Sequence, residues 1–237
     1  MQSAGSFAHT RWSIVLHGTT GQTAGAEDPL LTLARAYSFP IYACFRRCGH
    51  APAIAIDLCR LFLRELAQPA AARPAQGQSL RAYLWSRLNR LLGQDWRGKL
   101  AAGDGDGDHW TPPSDLEPRY QAEVAQLASP EQAYQRAFAV ELLAHALQRL
   151  HTEAAQTGHL PMYQALCEFI ARDPAPGVLE NIGQRLHMQP IALVVALKRL
   201  RQRLREIAGG ELADTVADTQ DLAREQTILY AALRDRP

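Results

Sequence analysis

Five basic side chains lie within eight positions late in the chain, at 198, 199, 201, 203 and 205. Guanidinium and ammonium groups at this density are suited to contact the phosphate oxygens of a nucleic acid. On a helical wheel the outward positions are Ile191, Val195, Lys198, Gln202 and Arg205. The inward positions are Leu193, Leu197, Leu200, Leu204 and Ile207. The pattern predicts either a DNA-binding helix or the basic solvent face of an ordinary bundle helix.

Residues 80–100 interleave Trp85 and Trp96 with arginines. Guanidinium groups can contact phosphates while indole rings stack on single-stranded bases. The alternative, favoured from this segment alone, is a helix with core tryptophans and surface arginines. The side chains expected to face inward are Leu80, Tyr83, Leu84, Leu88, Leu91 and Leu92, and those expected to face solvent are Arg81, Arg87, Arg90, Arg97 and Lys99.

Cysteines offer a third kind of chemistry. Cys44 and Cys48 lie one helical turn apart, and His50 and Cys59 are nearby in sequence. One interpretation is a zinc or redox site. The favoured interpretation is that these cysteines are buried core residues. The segment Gly-Asp-Gly-Asp-Gly-Asp at 103–108 resembles part of a calcium loop without its closing glutamate. No phosphate-binding loop, dinucleotide fingerprint or nucleophile elbow is present. We therefore expect no catalytic residue, no metal and no cofactor.

The composition predicts an all-α protein. The chain has 237 residues with a net charge of +1, its basic residues are arginines except Lys99 and Lys198, and alanine and leucine dominate the remainder. Alternation of apolar and polar residues with period two is scarce, so we expect essentially no sheet. There is no secretion signal and no apolar run long enough for a bilayer, and four cysteines do not make a disulfide framework. These features indicate a cytoplasmic protein without a membrane partner.

Helical periodicity predicts two helical domains joined by a flexible linker. The expected division is residues 1–102, a linker at 103–128 rich in Gly, Asp and Pro at its start, and residues 129–237. Predicted helices run from 29 to 48, 52 to 68 and 80 to 100; from Ser129, a helix begins with a capping box. A short helix at 178–186, a turn at 187–189 and a longer helix from Pro190 to Ala208, ended by Gly209-Gly210, have the outline of a helix-turn-helix unit.

These segments together resemble an extracytoplasmic-function sigma factor of the sigma-70 family, in the subgroup that opens with Thr-Arg-Trp-Ser. That motif is Thr10-Arg11-Trp12-Ser13 here. Similarity continues through residues 40–50, 81–97 and 182–206 and through the tail at 211–218. It covers nearly the whole chain, and the order and spacing of the segments agree.

The resemblance implies a bacterial transcription factor that carries out no bond chemistry. Its region 2-like domain would dock on the β′ coiled coil of RNA polymerase core and melt the −10 promoter element. Its region 4-like domain would lie near the β flap and place helix 190–208 in the major groove at −35. The implied −10 contacts are Trp85, Arg87, Asn89, Arg90, Trp96 and Arg97. The implied −35 contacts are Ile191, Val194, Lys198, Arg199, Arg201, Gln202 and Arg205. The implied polymerase contacts are Asp57, Arg60 and Arg64.

Both working surfaces depart from the family pattern. The family carries several acids at the start of its second helix, whereas this chain retains only Asp57 and has Arg60 where the family has glutamine. A net positive strip facing a basic coiled coil should weaken docking. The recognition helix begins with Pro190 and Ile191, and Ile191 and Val194 can touch thymine methyl groups but cannot hydrogen-bond to base edges.

Two functions follow from the resemblance. The first is an active sigma factor with unusual contacts. The second is a sigma-like regulator or adaptor whose apolar residues, including Ile54, Ile56, Leu63 and Ile191, bind another protein. We favour the first because the basic residues of both DNA-facing helices remain. An anti-sigma factor, a kinase or the C-terminal helix at 219–233 could supply its control.

Overall fold

The structure of the protein, a computed structural model, describes residues 11–17, 28–68, 74–75, 77–102 and 110–234. Every regular element within these ranges is helical, which confirms the all-α prediction. The helices are α1 Arg11–His17, α2 Pro29–Ala36, α3 Ser38–Arg47, α4 Pro52–Ala67, α5 Leu80–Leu92, α6 Trp96–Ala102, α7 Leu116–Glu123, α8 Pro130–Gln156, α9 Leu160–Leu166, α10 Val178–Leu186, α11 Pro190–Ala213 and α12 Thr219–Arg234, with a 3₁₀ turn at Cys167–Phe169. None of the helices in these ranges combines the length and apolar character needed to cross a bilayer.

Contacts divide the chain into two units whose boundaries lie within α8 and α11. The first unit contains the described residues up to Glu141 and those from Leu212 onward, and the second runs from Leu142 to Glu211. This division differs from the predicted one because the start of α8 and all of α12 belong with the N-terminal helices. Tyr37 stacks on Phe138 of α8 with 4.5 Å between ring centroids.

The core of the first unit forms around α3 and α4. α4 packs against α2, α3 and α6, and α1 packs against α2. The side chains that α3 and α4 bury most completely include Phe39, Ile41, Tyr42, Phe45, Leu58, Phe62 and Leu63. The C-terminal residues close this unit, because the backbone amides of Trp12 and Leu80 donate to the carbonyl oxygens of Asp214 and Thr215.

The second unit is built around α11, which contributes to two apolar clusters. In one cluster Ile207 packs with Ala146, Leu150 and Ala154 of α8 and with Tyr163 of α9. In the other, Leu193 and Leu197 pack with Leu166, Phe169 and Ile182. The inward stripe predicted for this helix is therefore the stripe that it buries.

The predicted flexible linker is wrong for residues 110–128. α7 lies in this segment and packs against α3. It buries Leu116 and Tyr120, and the flanking residues Trp110, Val124 and Leu127 are buried as well. Arg46 holds Glu117 through two hydrogen bonds of 2.8 and 2.9 Å. Leu116, Tyr120, Val124 and Leu127 repeat at intervals of four, four and three, which is a helical period, but the Gly-, Asp- and Pro-rich start of the segment favoured a linker. The segment at 103–108 and Thr10 lie outside the described residues.

Three predicted helix boundaries need correction. The helix expected at 29–48 breaks at Tyr37 into α2 and α3, and the one expected at 80–100 breaks after Leu92 into α5 and α6. Gly93 ends α5, and Asp95 starts α6 by accepting a 3.1 Å hydrogen bond from the Gly98 amide. Conversely, α11 continues through Gly209 and Gly210 to Ala213, because Glu211 and Leu212 are buried and hold its last turn in place.

Candidate nucleic-acid interface

A tight connection between α10 and α11 forms the predicted helix-turn-helix unit. His187 ends α10 in the left-handed conformation at φ 54°, and the Met188 amide donates to the Gly183 carbonyl over 2.9 Å. A β-carbon on Gly183 would lie 2.6 Å from the Met188 carbonyl oxygen. Glycine at position 183 thus allows the chain to turn this closely, and α11 then begins with Pro190, as predicted.

The outward face of α11 presents Lys198, Arg199, Gln202 and Arg205, all of them exposed. Neither Lys198, Arg199 nor Arg205 forms an ion pair with a carboxylate of the described residues. Arg205 donates to the Gln202 side chain over 3.3 Å. Three positive charges therefore remain available on one helix face for phosphate oxygens.

Arg201 is the exception among the predicted −35 contacts. Its Nη2 donates to the carbonyl oxygens of Phe169 and Arg172 and to the Asp173 carboxylate over 2.7–2.8 Å. Nη2 of this guanidinium thus satisfies carbonyl groups at the end of the 3₁₀ turn and is not available to a phosphate. The neighbouring Arg203 binds the carboxylate of Glu153 through two 2.9 Å bonds.

The first turn of α11 is apolar and exposed. Ile191 exposes 71% of its surface, Val194 48% and Val195 43%. In a helix-turn-helix unit the recognition helix contacts base edges through its N-terminal residues. These side chains lie at the N-terminal end of α11, and they can offer only apolar contact to a base, such as to thymine methyl groups.

In the first unit, α5 carries the other predicted nucleic-acid contacts. Ser79 caps this helix by accepting a 3.2 Å hydrogen bond from the Ala82 amide. Asn89 and Arg90 are exposed and Arg87 is half-buried. Arg87 and Arg90 form no ion pair with any carboxylate in the described part of the chain. The face of α5 that holds these residues can accept a nucleic-acid backbone.

Arg81 of α5 faces inward, contrary to expectation, whereas Trp85 of the same helix is half-buried. Arg81 is 6% exposed and lies against Glu225 of α12, where the Tyr134 hydroxyl also donates to the Arg81 carbonyl. Trp85 packs on Tyr134 with ring centroids 5.1 Å apart. The Trp85 indole thus contacts the interior of the unit through Tyr134 and is half-buried.

The remaining −10 candidates lie on α6 rather than on α5. Trp96 contacts His50 edge to face at 4.8 Å, and the Arg97 guanidinium carbon lies 4.5 Å from the Trp96 ring centroid. The predicted polymerase contacts Asp57, Arg60 and Arg64 on α4 line the same cavity as Trp96 and Arg97. Asp57 forms a 3.0 Å ion pair with Arg60. The structure thus brings together residues that the sequence assigned to two different surfaces.

The cysteines occupy distinct environments. Cys44 and Cys59 are buried and Cys48 is exposed at the end of α3. A hydrogen bond from the Cys44 thiol lowers the pKa of Cys48 to about 7. No group of three or more His, Cys, Asp or Glu side chains in the described ranges has the geometry of a metal site.

Two important residues were missed by sequence reasoning. The sequence around Gly183 showed only a glycine inside an apolar helical pattern. Nothing near Glu225 indicated its burial, because its partner Arg81 is distant in the chain.

Compared with known proteins, the chain matches no family model, no curated protein and no solved structure.

Proposed function

We propose that this protein is a sigma factor of the extracytoplasmic-function type that directs RNA polymerase core to promoters. The observation that carries the proposal is the outward face of α11. A helix that follows a tight turn offers Lys198, Arg199 and Arg205 without internal carboxylate partners among the described residues. Basic residues so arranged can fix a recognition helix on the DNA backbone, while the helix start meets the bases.

The face of α5 supports a second contact with DNA. Arg87, Asn89 and Arg90 can bind the phosphates of a melted strand, so binding to open over duplex promoter would supply the energy for opening. Trp85 and Arg81 contribute to holding α5 in place. The α4 strip of Asp57, Arg60 and Arg64 would meet the polymerase coiled coil, and its net positive charge favours weak docking.

Binding to DNA can be tested on the −35 face. Replacing Lys198 and Arg199 with alanine should weaken duplex binding and reduce the salt-dependence slope by about one per lost phosphate contact. Arg172→Ala is the matched control, because Arg172 is exposed in the same unit but pairs with Glu168 at 2.6 Å. An unaltered slope in the double variant would show that α11 faces a protein.

Promoter opening is tested with purified polymerase core. Addition of the protein should give a stable complex, run-off transcripts and permanganate-reactive thymines in the −10 element. Arg87→Ala with Arg90→Ala should abolish thymine reactivity while circular dichroism stays unchanged, since both side chains lie outside the core. The absence of core binding, or full opening by the double variant, would refute the proposal.

One observation favours a second function, that of an adaptor. Ile191, Val194 and Val195 form an exposed apolar patch where DNA recognition usually uses polar side chains. Such a patch suits a protein partner. Stable binding to core without transcription from any promoter would support this function instead.

A further inference from the structure

A cavity of about 830 Å³ lies between α4 and α6 in the first unit. Its size falls within the range of small-molecule pockets, about 300–1,000 Å³. Apolar side chains form part of the wall, namely Ile54, Leu61 and Leu100. Neither Arg87 nor Arg90 lines it, so the cavity is separate from the proposed strand-binding face of α5.

The charge of the lining favours an anion. Arg60, Arg64 and Arg97 contribute three guanidinium groups, against the single carboxylate of Asp57. Arg60 and Arg64 lie one turn apart on α4, so both can reach one phosphate group. Guanidinium groups bind phosphate oxygens with a planar pair of donors, which makes arginine the preferred residue for this anion.

The other side of the cavity is aromatic. The Arg97 guanidinium covers the Trp96 ring at 4.5 Å, and His50 meets the ring edge to face at 4.8 Å. Burial and the nearby Arg97 lower the pKa of His50, so the imidazole is neutral near pH 7. A guanidinium layered on an indole presents a flat surface on which a nucleobase can stack.

We infer that this cavity binds a free nucleoside phosphate. Its phosphates contact Arg60 and Arg64, and its base stacks on the Arg97–Trp96 layer beside Ile54 and Leu100. Asp57, which pairs with Arg60 through Oδ1 at 3.0 Å, can accept a hydrogen bond from a ribose hydroxyl at its other oxygen, as carboxylates do in dinucleotide sites. The site goes beyond the proposed function, because promoter recognition requires no such ligand, and it uses the α4 strip proposed to meet the polymerase coiled coil, so a nucleotide and polymerase would compete for Arg60 and Arg64.

Calorimetric titration of the full chain tests the inference, with ADP, ATP, adenosine and inorganic phosphate as probes. ADP and ATP should bind at one site, at least about tenfold more tightly than adenosine or phosphate, because stacking and phosphate contacts act together. Phosphate binding as tightly as ADP would overturn the inference. A single-stranded oligonucleotide that binds while the mononucleotides do not would overturn it as well.

Variants locate the site. Arg60→Ala and Trp96→Leu should each weaken ADP binding about tenfold. Arg60→Lys should also weaken it, since it keeps the charge and loses the planar donor pair. Arg172→Ala is the control and should leave ADP affinity unchanged. Arg60 is exposed, so its replacement should not unfold the core. Equal losses of ADP affinity in the control and in Arg60→Ala would overturn the inference. Neither polymerase nor promoter is present, so failure here is distinct from failure of the proposed function.

Discussion

Arg81 and Glu225 form a buried ion pair although 144 positions separate them in the chain. Arg81 Nε lies 2.5 Å from Glu225 Oε2, and the two residues expose only 6% and 4% of their surfaces. The Ser79 hydroxyl donates to the same carboxylate over 2.8 Å, and Gln135 accepts from the Arg81 guanidinium. This network fastens α12 to the first turn of α5.

Glu225→Ala should therefore destabilise the protein by about 3–5 kcal/mol, because it leaves the Arg81 guanidinium buried without its carboxylate. Urea unfolding followed by circular dichroism measures the loss. Glu168→Ala is the matched control: it breaks an exposed pair with Arg172 of 2.6 Å and should cost under about 1 kcal/mol. Equal effects of the two substitutions would contradict the assignment of a buried network.

Gly183→Ala should destabilise the second unit by about 1–3 kcal/mol, because the added β-carbon would overlap the Met188 carbonyl oxygen. Gly209→Ala serves as its control. No atom lies within 4 Å of a β-carbon at this helical position, so alanine should stabilise α11 by about 0.5–1 kcal/mol. The melting temperatures of both variants test these predictions. A melting temperature of Gly209→Ala below that of the unchanged protein would contradict a continuous α11.

His187→Gly should stabilise the turn between α10 and α11 by about 0.5–1 kcal/mol, because glycine adopts the positive φ of 54° without steric cost. His187→Val should destabilise it, since a β-branched residue tolerates this conformation least. Melting temperatures of the pair give the test. A melting temperature that is higher for valine than for glycine would be inconsistent with the left-handed cap.

Acid should weaken the contact between α3 and α7. Hydrogen bonds from Arg46 lower the pKa of Glu117 from 4.5 to about 2. A carboxylate with a depressed folded-state pKa stabilises fully above its unfolded pKa, so this contribution is present above pH 4.5 and lost as the pH falls toward 2.

Glu117→Gln provides the comparison for that prediction. The urea midpoint of the variant should lie below that of the unchanged protein at pH 6, and the gap should close between pH 4.5 and 2. Tyr42 also donates to Glu117, over 2.5 Å, so the loss of charge acts on both contacts. A gap that stays constant across this range would argue against the ion pair.

Local sequence patterns predicted the parts of the fold that depend on neighbouring residues. The capping box at the start of α8 is confirmed. The backbone amide of Gln132 donates to Ser129 Oγ over 3.1 Å, and the backbone amide of Ser129 donates to Gln132 Oε1 over 3.2 Å. The turn between α10 and α11 and the inward leucines of α11 were also predicted from local sequence. Each follows from the helical period and from cap chemistry within a few positions.

Contacts between distant segments escaped prediction. Arg81 belongs to an arginine-rich helix face by its position, and only the distant Glu225 turns it into a buried residue. Gly209 and Gly210 end helices by propensity, yet the 2.6 Å pair of Glu211 with Arg149 holds the next turn helical. Trp96 and Arg97 lie on the separate helix α6, because the helix predicted at 80–100 ends before Gly93.

The N-terminal unit is discontinuous in sequence, since it contains residues up to Glu141 and those from Leu212 onward. A ribosome therefore finishes the second unit before it has synthesised the partner of Arg81. During translation the early helices emerge with this guanidinium uncompensated, and they reach their final state only when the last helix leaves the exit tunnel. Premature termination upstream of α12 would yield an incomplete fold, so a shortened product is exposed to proteolysis rather than left partly active.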